Sequence, residues 1–145
     1  MVKLTKNQGN YIPKIVSFIC NRSSYAMLKR DEFQFPDFMK NIRLICLGRI
    51  SLSFLFNAFE HGADGILLIG CPSGRCQYSF GNKLAEEYLV TAREIVYLLG
   101  IEKERLGITY ISISEDLKFA QKVNKFIENV RKLGPSPLSV NSGEK

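Results

Sequence analysis

The sequence predicts the α/β fold class, with a mostly parallel four-stranded sheet and helices on both faces. Three observations carry this. Short apolar runs rich in β-branched residues alternate with amphipathic stretches in the order β-α-β-α-β-α-β-α. The strand runs are apolar throughout instead of alternating, as in strands covered on both faces. The chain has 145 residues with no internal repeat or second domain, the size of a single domain.

Residues 1–12 lack periodicity and read as an N-terminal arm. Pro13 opens the first strand, KIVSFIC (residues 14–20). Asn21-Arg22-Ser23-Ser24 is turn chemistry, with Ser23 or Ser24 able to cap a short helix through Lys29. Residues 31–41 read as an irregular connection around Pro36, and IRLICLG (residues 42–48) as the second strand. A helix follows, with Leu52, Leu55, Phe56 and Phe59 at helical spacing and Gly62 as its stop. GILLIGC (residues 65–71) is the third strand, followed by a loop with Pro72 and Gly74. The longest helix is predicted over residues 82–99, burying Leu84, Tyr88, Ala92, Ile95 and Leu99 and stopping at Gly100. Residues 108–111 are the fourth strand. Ser112 with Glu115 forms a possible capping box for a last helix through Leu133, with Phe119, Val123, Phe126 and Val130 inward. The α/β domain thus spans residues 13–133, and residues 134–145 form a Pro/Ser tail. Right-handed crossovers give this order a flavodoxin-like or Rossmann-like core.

Composition narrows the function. Apolar residues make up 46% and charged residues 23%, which excludes a disordered or fibrous chain. No apolar run is long enough for a membrane span. The N-terminus has lysines but no apolar segment of a secretory signal, so the chain is expected to be cytoplasmic. Twenty Lys and Arg against fourteen Asp and Glu give a net charge of +6. That charge is spread along the chain without a nucleic-acid-binding motif, and predicts an acidic protein partner and no nucleic acid.

The four cysteines, Cys20, Cys46, Cys71 and Cys76, are the chemistry-bearing set. In a reducing compartment they stay thiols. Cys20 and Cys71 end predicted strands, Cys46 lies two residues from the end of another, and Cys76 follows in the adjacent loop. In a parallel sheet this gathers all four on the carboxyl edge, where open α/β sheets bind ligands. Zinc usually takes paired knuckles, whereas Cys71-PSGR-Cys76 has the C-x4-C spacing of plant-type ferredoxins. Iron–sulfur, zinc and unligated thiols all remain open on spacing alone.

Five segments then point further: PKIVSFICNRSSYA (residues 13–26), ICLGRI (45–50), FEHGADGILLIGCPSGRCQY (59–78), GNKLAEE (81–87) and LGPSPL (133–138). They resemble the delta subunit of methyl-viologen-reducing hydrogenase, over nearly the whole chain. The resemblance implies a non-catalytic electron-transfer subunit with a [2Fe–2S] cluster on Cys20, Cys46, Cys71 and Cys76. It implies as partners a hydrogenase or formate dehydrogenase and a heterodisulfide reductase A-like flavoprotein, in an anaerobic, flavin-based complex. The chain departs from that pattern after the first strand. Where the family typically has Cys-Cys-Asn-Trp-Cys, it has Ile19-Cys20-Asn21-Arg22-Ser23, two thiols fewer. Four thiols are the minimum for an all-cysteine cluster, and a cluster-free adaptor is the alternative the departure favours.

Arg49 and Arg75 are candidate cofactor-binding residues, whose positive charge near a cluster would raise its potential; a surface arginine is the plainer account of each. Arg75 stands where the family often has an acid. Tyr25 and Tyr78 read as shielding or packing residues near the same edge, and His61 as the C-terminal residue of a helix end. No nucleophile–histidine arrangement or dinucleotide fingerprint is present.

Overall fold

Strand β3 (Gly65–Gly70) is buried at every residue, and so is nearly all of β1 (Ile15–Cys20). These two continuous apolar runs pair side by side at the centre of the sheet, Ile15 opposite Gly65 and Ile19 opposite Ile69. β2 (Met39–Leu44) flanks β1, and β4 (Leu106–Tyr110) flanks β3. All pairs are parallel, in the order β2-β1-β3-β4. The computed structural model describes residues 11–20, 36–44, 47–70, 81–110 and 116–138.

The pleat sends alternate residues of β3 to opposite faces. Ile66 and Leu68 join one core with Phe18, Leu55, Phe59, Leu89 and Val96, beneath α1 (Leu52–Glu60) and α2 (Gly81–Leu98). Leu67 and Ile69 join the other with Ile15, Ile19, Val123, Phe126 and Val130, beneath α3 (Asp116–Leu133). The predicted α/β class, parallel sheet and two-faced helix cover are therefore present. α3 seats closely because β3 and β4 offer it glycine. A Cβ at Gly65 would lie 2.7 Å from Val130 Cγ2, and one at Gly107 would lie 2.9 Å from the Phe126 ring.

Helix boundaries follow local chemistry. Ser51 caps α1, its side chain accepting from Phe54 N at 3.4 Å. α1 and α2 both end at the predicted glycines, Gly62 (φ 99°) and Gly100 (φ 87°). In each case the next residue's N–H returns five positions, Ala63 to Ala58 O at 3.0 Å and Ile101 to Val96 O at 2.8 Å.

Three expectations are corrected. The second strand starts at Met39 and ends at Leu44, instead of spanning residues 42–48, and Leu47–Arg49 form a 3-10 turn. The apolar run ICLG misled because β2 is an edge strand, whose Lys40, Asn41, Ile42 and Arg43 face solvent. The fourth strand begins earlier, at Leu106. In α2 the buried stripe is Ala85, Leu89, Ala92 and Val96; of the predicted set only Ala92 is buried, while Leu84, Tyr88 and Leu99 are exposed. The alanines allow close approach to the sheet, so that face wins the core. In α3, Val123, Phe126 and Val130 are inward as predicted, and the Phe119 side chain lies outside the described residues. The helix expected through Lys29, with its caps Ser23 and Ser24, and the Ser112–Glu115 box also lie outside them.

Candidate functional site at the carboxyl edge of the sheet

Because the strands are parallel and nearly in register, their last residues form a level row: Leu44, Cys20, Gly70 and Tyr110. β1 and β3 are adjacent, yet the chain leaves β1 toward one edge and reaches β3 from the other side. Their boundary is the point where strand order reverses, the usual ligand crevice of open α/β sheets.

Cys20 sits on this boundary as the last residue of β1. It is 4% exposed and belongs to the core shared with Leu47, Ile50 and Leu89. Cys71 is the residue that follows β3. Cys46 follows Leu44, the last residue of β2, by two positions in the sequence. Cys46, Cys71, Cys76, Arg75, Tyr25 and Tyr78 lie outside the described residues. Among the described residues no group of three or more His, Cys, Asp or Glu side chains is placed to hold a metal ion. Arg49 is exposed, at the end of the 3-10 turn that follows β2. At the end of β4, the Tyr110 hydroxyl bonds to Glu86 of α2. Burial first, and that carboxylate second, push the Tyr110 phenol above its ordinary value.

His61 is the C-cap of α1, as expected, with its N–H on Asn57 O at 3.0 Å and Nδ1 2.7 Å from the same oxygen. Beside it, a groove of about 610 Å³ runs between α1 and β2, floored by Val16, Phe18, Ile42 and Leu44. Lys14 and Gly62, at the amino end of the sheet, also line it.

The residues that sequence reasoning missed are at that amino end. Arg105 is fully buried, with Nε on Glu102 Oε2 at 2.5 Å and Nη1 on the Asp64 carbonyl at 2.9 Å. Its Nη2 donates to the carbonyls of Leu133 (3.4 Å) and Pro135 (3.2 Å). The Asp64 carboxylate accepts from the backbone N–H of Lys14 and of Ser136, each at 2.9 Å. Burial, and then the Asp64 charge, raise the Tyr11 phenol above its ordinary value. The GADG and LGPSP segments are thus tied into one buried clamp. The only sequence signal for it was the unusual motif LGPSPL itself.

No helix of the described residues is long and apolar enough to cross a membrane. The family model for the delta subunit of methyl-viologen-reducing hydrogenase matches residues 15–134. The chain is 37% identical over 138 residues to the iron-sulfur subunit of the F420-non-reducing hydrogenase vhc of Methanococcus voltae, covering 93% of this chain and 96% of that protein. It is 37% identical over 126 residues to the iron-sulfur subunit of the F420-non-reducing hydrogenase of Archaeoglobus profundus, covering 85% and 92%. It is also 32% identical over 126 residues to the A-type polypeptide of the ferredoxin:CoB-CoM heterodisulfide reductase of Methanosarcina mazei. There the match covers 85% of this chain but only 16% of the relative, so the same domain is one segment of a longer polypeptide. With the parallel sheet, the clamp and the family match spanning almost all of its length, the chain belongs to the methyl-viologen-reducing hydrogenase delta-subunit family.

Proposed function

We propose that the chain is an electron-transfer subunit that holds a [2Fe–2S] cluster through Cys20, Cys46, Cys71 and Cys76. It would relay electrons between a hydrogenase or formate dehydrogenase partner and a heterodisulfide reductase A-like flavoprotein. The observation that carries this reading is the level carboxyl edge. Cys20 ends β1, and the chain enters the C-x4-C loop directly from β3, on the neighbouring strand. Relatives that match over most of their length are named iron-sulfur subunits, and the longer relative is named as a heterodisulfide reductase polypeptide.

The donor chemistry fits: four thiolates suffice for such a cluster, which when bound supplies reversible one-electron chemistry. The chain's own residues would do the rest. Cys20, paired with Leu44 of β2 at the end of a strand flanked on both sides, would present one donor from the sheet edge. The apolar core behind it keeps water from that side of the edge. Arg49 and Arg75 would add positive charge near the ligands and raise the reduction potential.

One observation favours a second reading, a cluster-free adaptor. Cys20 is packed with core side chains, and Ile19 and Ser23 stand where the resembled family has further cysteines. Anaerobic purification with iron and sulfide analysis and electron paramagnetic resonance separates the two. About two irons and two sulfides per chain, lost on Cys71→Ala or Cys76→Ala, support the relay. A colourless, iron-free chain that still binds its partners establishes the adaptor instead.

A further inference from the structure

α2 is apolar on two adjacent faces. Ala85, Leu89, Ala92 and Val96 pack on the sheet. Leu84, Tyr88, Ile95 and Leu99 follow at intervals of four, seven and four residues and lie on one adjoining side of the helix, with Leu98 beside them. Of this second set Leu84 is 40% exposed, Leu99 62% and Leu98 83%. Nine large apolar side chains are exposed among the described residues, and four of them, Leu84, Tyr88, Leu98 and Leu99, belong to this stripe, while Val90 and Tyr97 lie on another side of the helix. Exposed glutamates, Glu87 and Glu94, rim the stripe. An apolar centre with a charged rim is the anatomy of a protein interface, and scattered single exposures would not give it.

Two heterodisulfide reductase A relatives carry a segment similar to this chain inside a longer polypeptide. In them the matched segment makes up 16% of the chain, so the rest of the polypeptide is a permanent neighbour of this domain. A separate chain that serves the same body must hold it by surface alone. We propose that the second apolar face of α2 (Leu84, Tyr88, Ile95, Leu98 and Leu99) is the surface that docks the heterodisulfide reductase A-type flavoprotein. This rests on the partner named under the proposed function, and goes beyond it in assigning the face. The placement suits electron relay. α2 begins at Gly81, and Leu84 follows Cys76 by eight residues in the sequence.

The test uses the full-length chain and the heterodisulfide reductase A-type flavoprotein of the same organism, with affinity read by surface-immobilised binding. The double variant Leu84→Ser/Leu98→Glu changes only exposed side chains, so its circular dichroism and melting should match the parent. Its affinity should fall roughly tenfold or more, as for loss of central interface contacts. Lys122→Ser/Lys125→Ser, on the exposed face of α3, should bind like the parent. Unchanged affinity of the α2 variant, or no binding by the parent chain, overturns the proposal. So does a parent chain that is dimeric by analytical ultracentrifugation and is made monomeric by the same two changes. Iron content, measured on the same preparations, reports separately on the relay. An iron-free chain that still binds through α2 keeps the docking face and removes only the cluster.

Discussion

Replacing Arg105 by methionine should unlock the amino end of the sheet while keeping most of the side chain's volume. The fully buried guanidinium serves three carbonyls, and Asp64 O, at 2.9 Å, is the most enclosed of them. A buried acceptor stripped of its donor costs about 1–3 kcal/mol. The Leu133 and Pro135 carbonyls are part-buried and their bonds longer, at 3.4 and 3.2 Å, so each adds about 1 kcal/mol. The expected loss is about 3–5 kcal/mol, equivalent to a drop of roughly 10 °C or more in Tm for a chain this long. Urea and thermal unfolding followed by circular dichroism measure it, and hydrogen exchange at the Ser136 amide shows whether the closing segment has detached. A loss below about 1 kcal/mol, or a Ser136 amide as protected as in the parent, would refute the clamp as an energetic unit.

Gly65→Ala should cost about 1–3 kcal/mol, because its methyl would meet Val130 Cγ2 at 2.7 Å and Phe126 Cζ at 3.3 Å. Adding Val130→Ala should relieve part of that cost, and a strictly additive double-mutant cycle would remove the steric explanation. Against the burial that would raise it, the hydrogen bond from Arg105, a backbone bond and the Arg105 charge hold the Glu102 carboxyl below its usual 4.5. A depressed carboxyl stabilises the fold above its unfolded value and loses that contribution as pH falls through the folded one. The stability gap between parent and Glu102→Gln, about 0.5 kcal/mol for so exposed a carboxylate, should therefore be present at pH 6. It should close at acid pH, below 4.5, and a gap that stays constant contradicts the pairing. Ser51→Ala should cost about 0.5 kcal/mol in chemical denaturation, at the low end for an N-cap because its bond is 3.4 Å and exposed. No measurable change would show that cap to be idle.

What was legible in the sequence was whatever a single period records. β1 and β3 are buried on both faces, so their runs are apolar without interruption. α3 has one apolar stripe, and its inward residues follow directly. β2 escaped because an edge strand with Lys40 and Arg43 outward has no apolar signature, which shifted the strand toward residues 45–48. α2 escaped for the opposite reason: two apolar stripes side by side satisfy the same helical period, and only packing decides which one turns inward. Beyond Glu102, the partners of Arg105 are main-chain carbonyls 41, 28 and 30 positions away, which no local pattern encodes, so its role was invisible. For the site, the carboxyl-edge position of Cys20 was readable from strand order alone. The position of Cys46 relative to its strand was not, because it depended on where the edge strand stops.

The clamp also orders events during synthesis. Asp64 waits for the N–H of Ser136, seventy-two residues downstream, and Arg105 for carbonyls that follow the last helix. All four strands are therefore translated before the group that locks their amino ends. Until then Arg105 lacks two of its three carbonyl partners. Only once residues 133–136 have been added does the amino end of the sheet gain its full set of bonds.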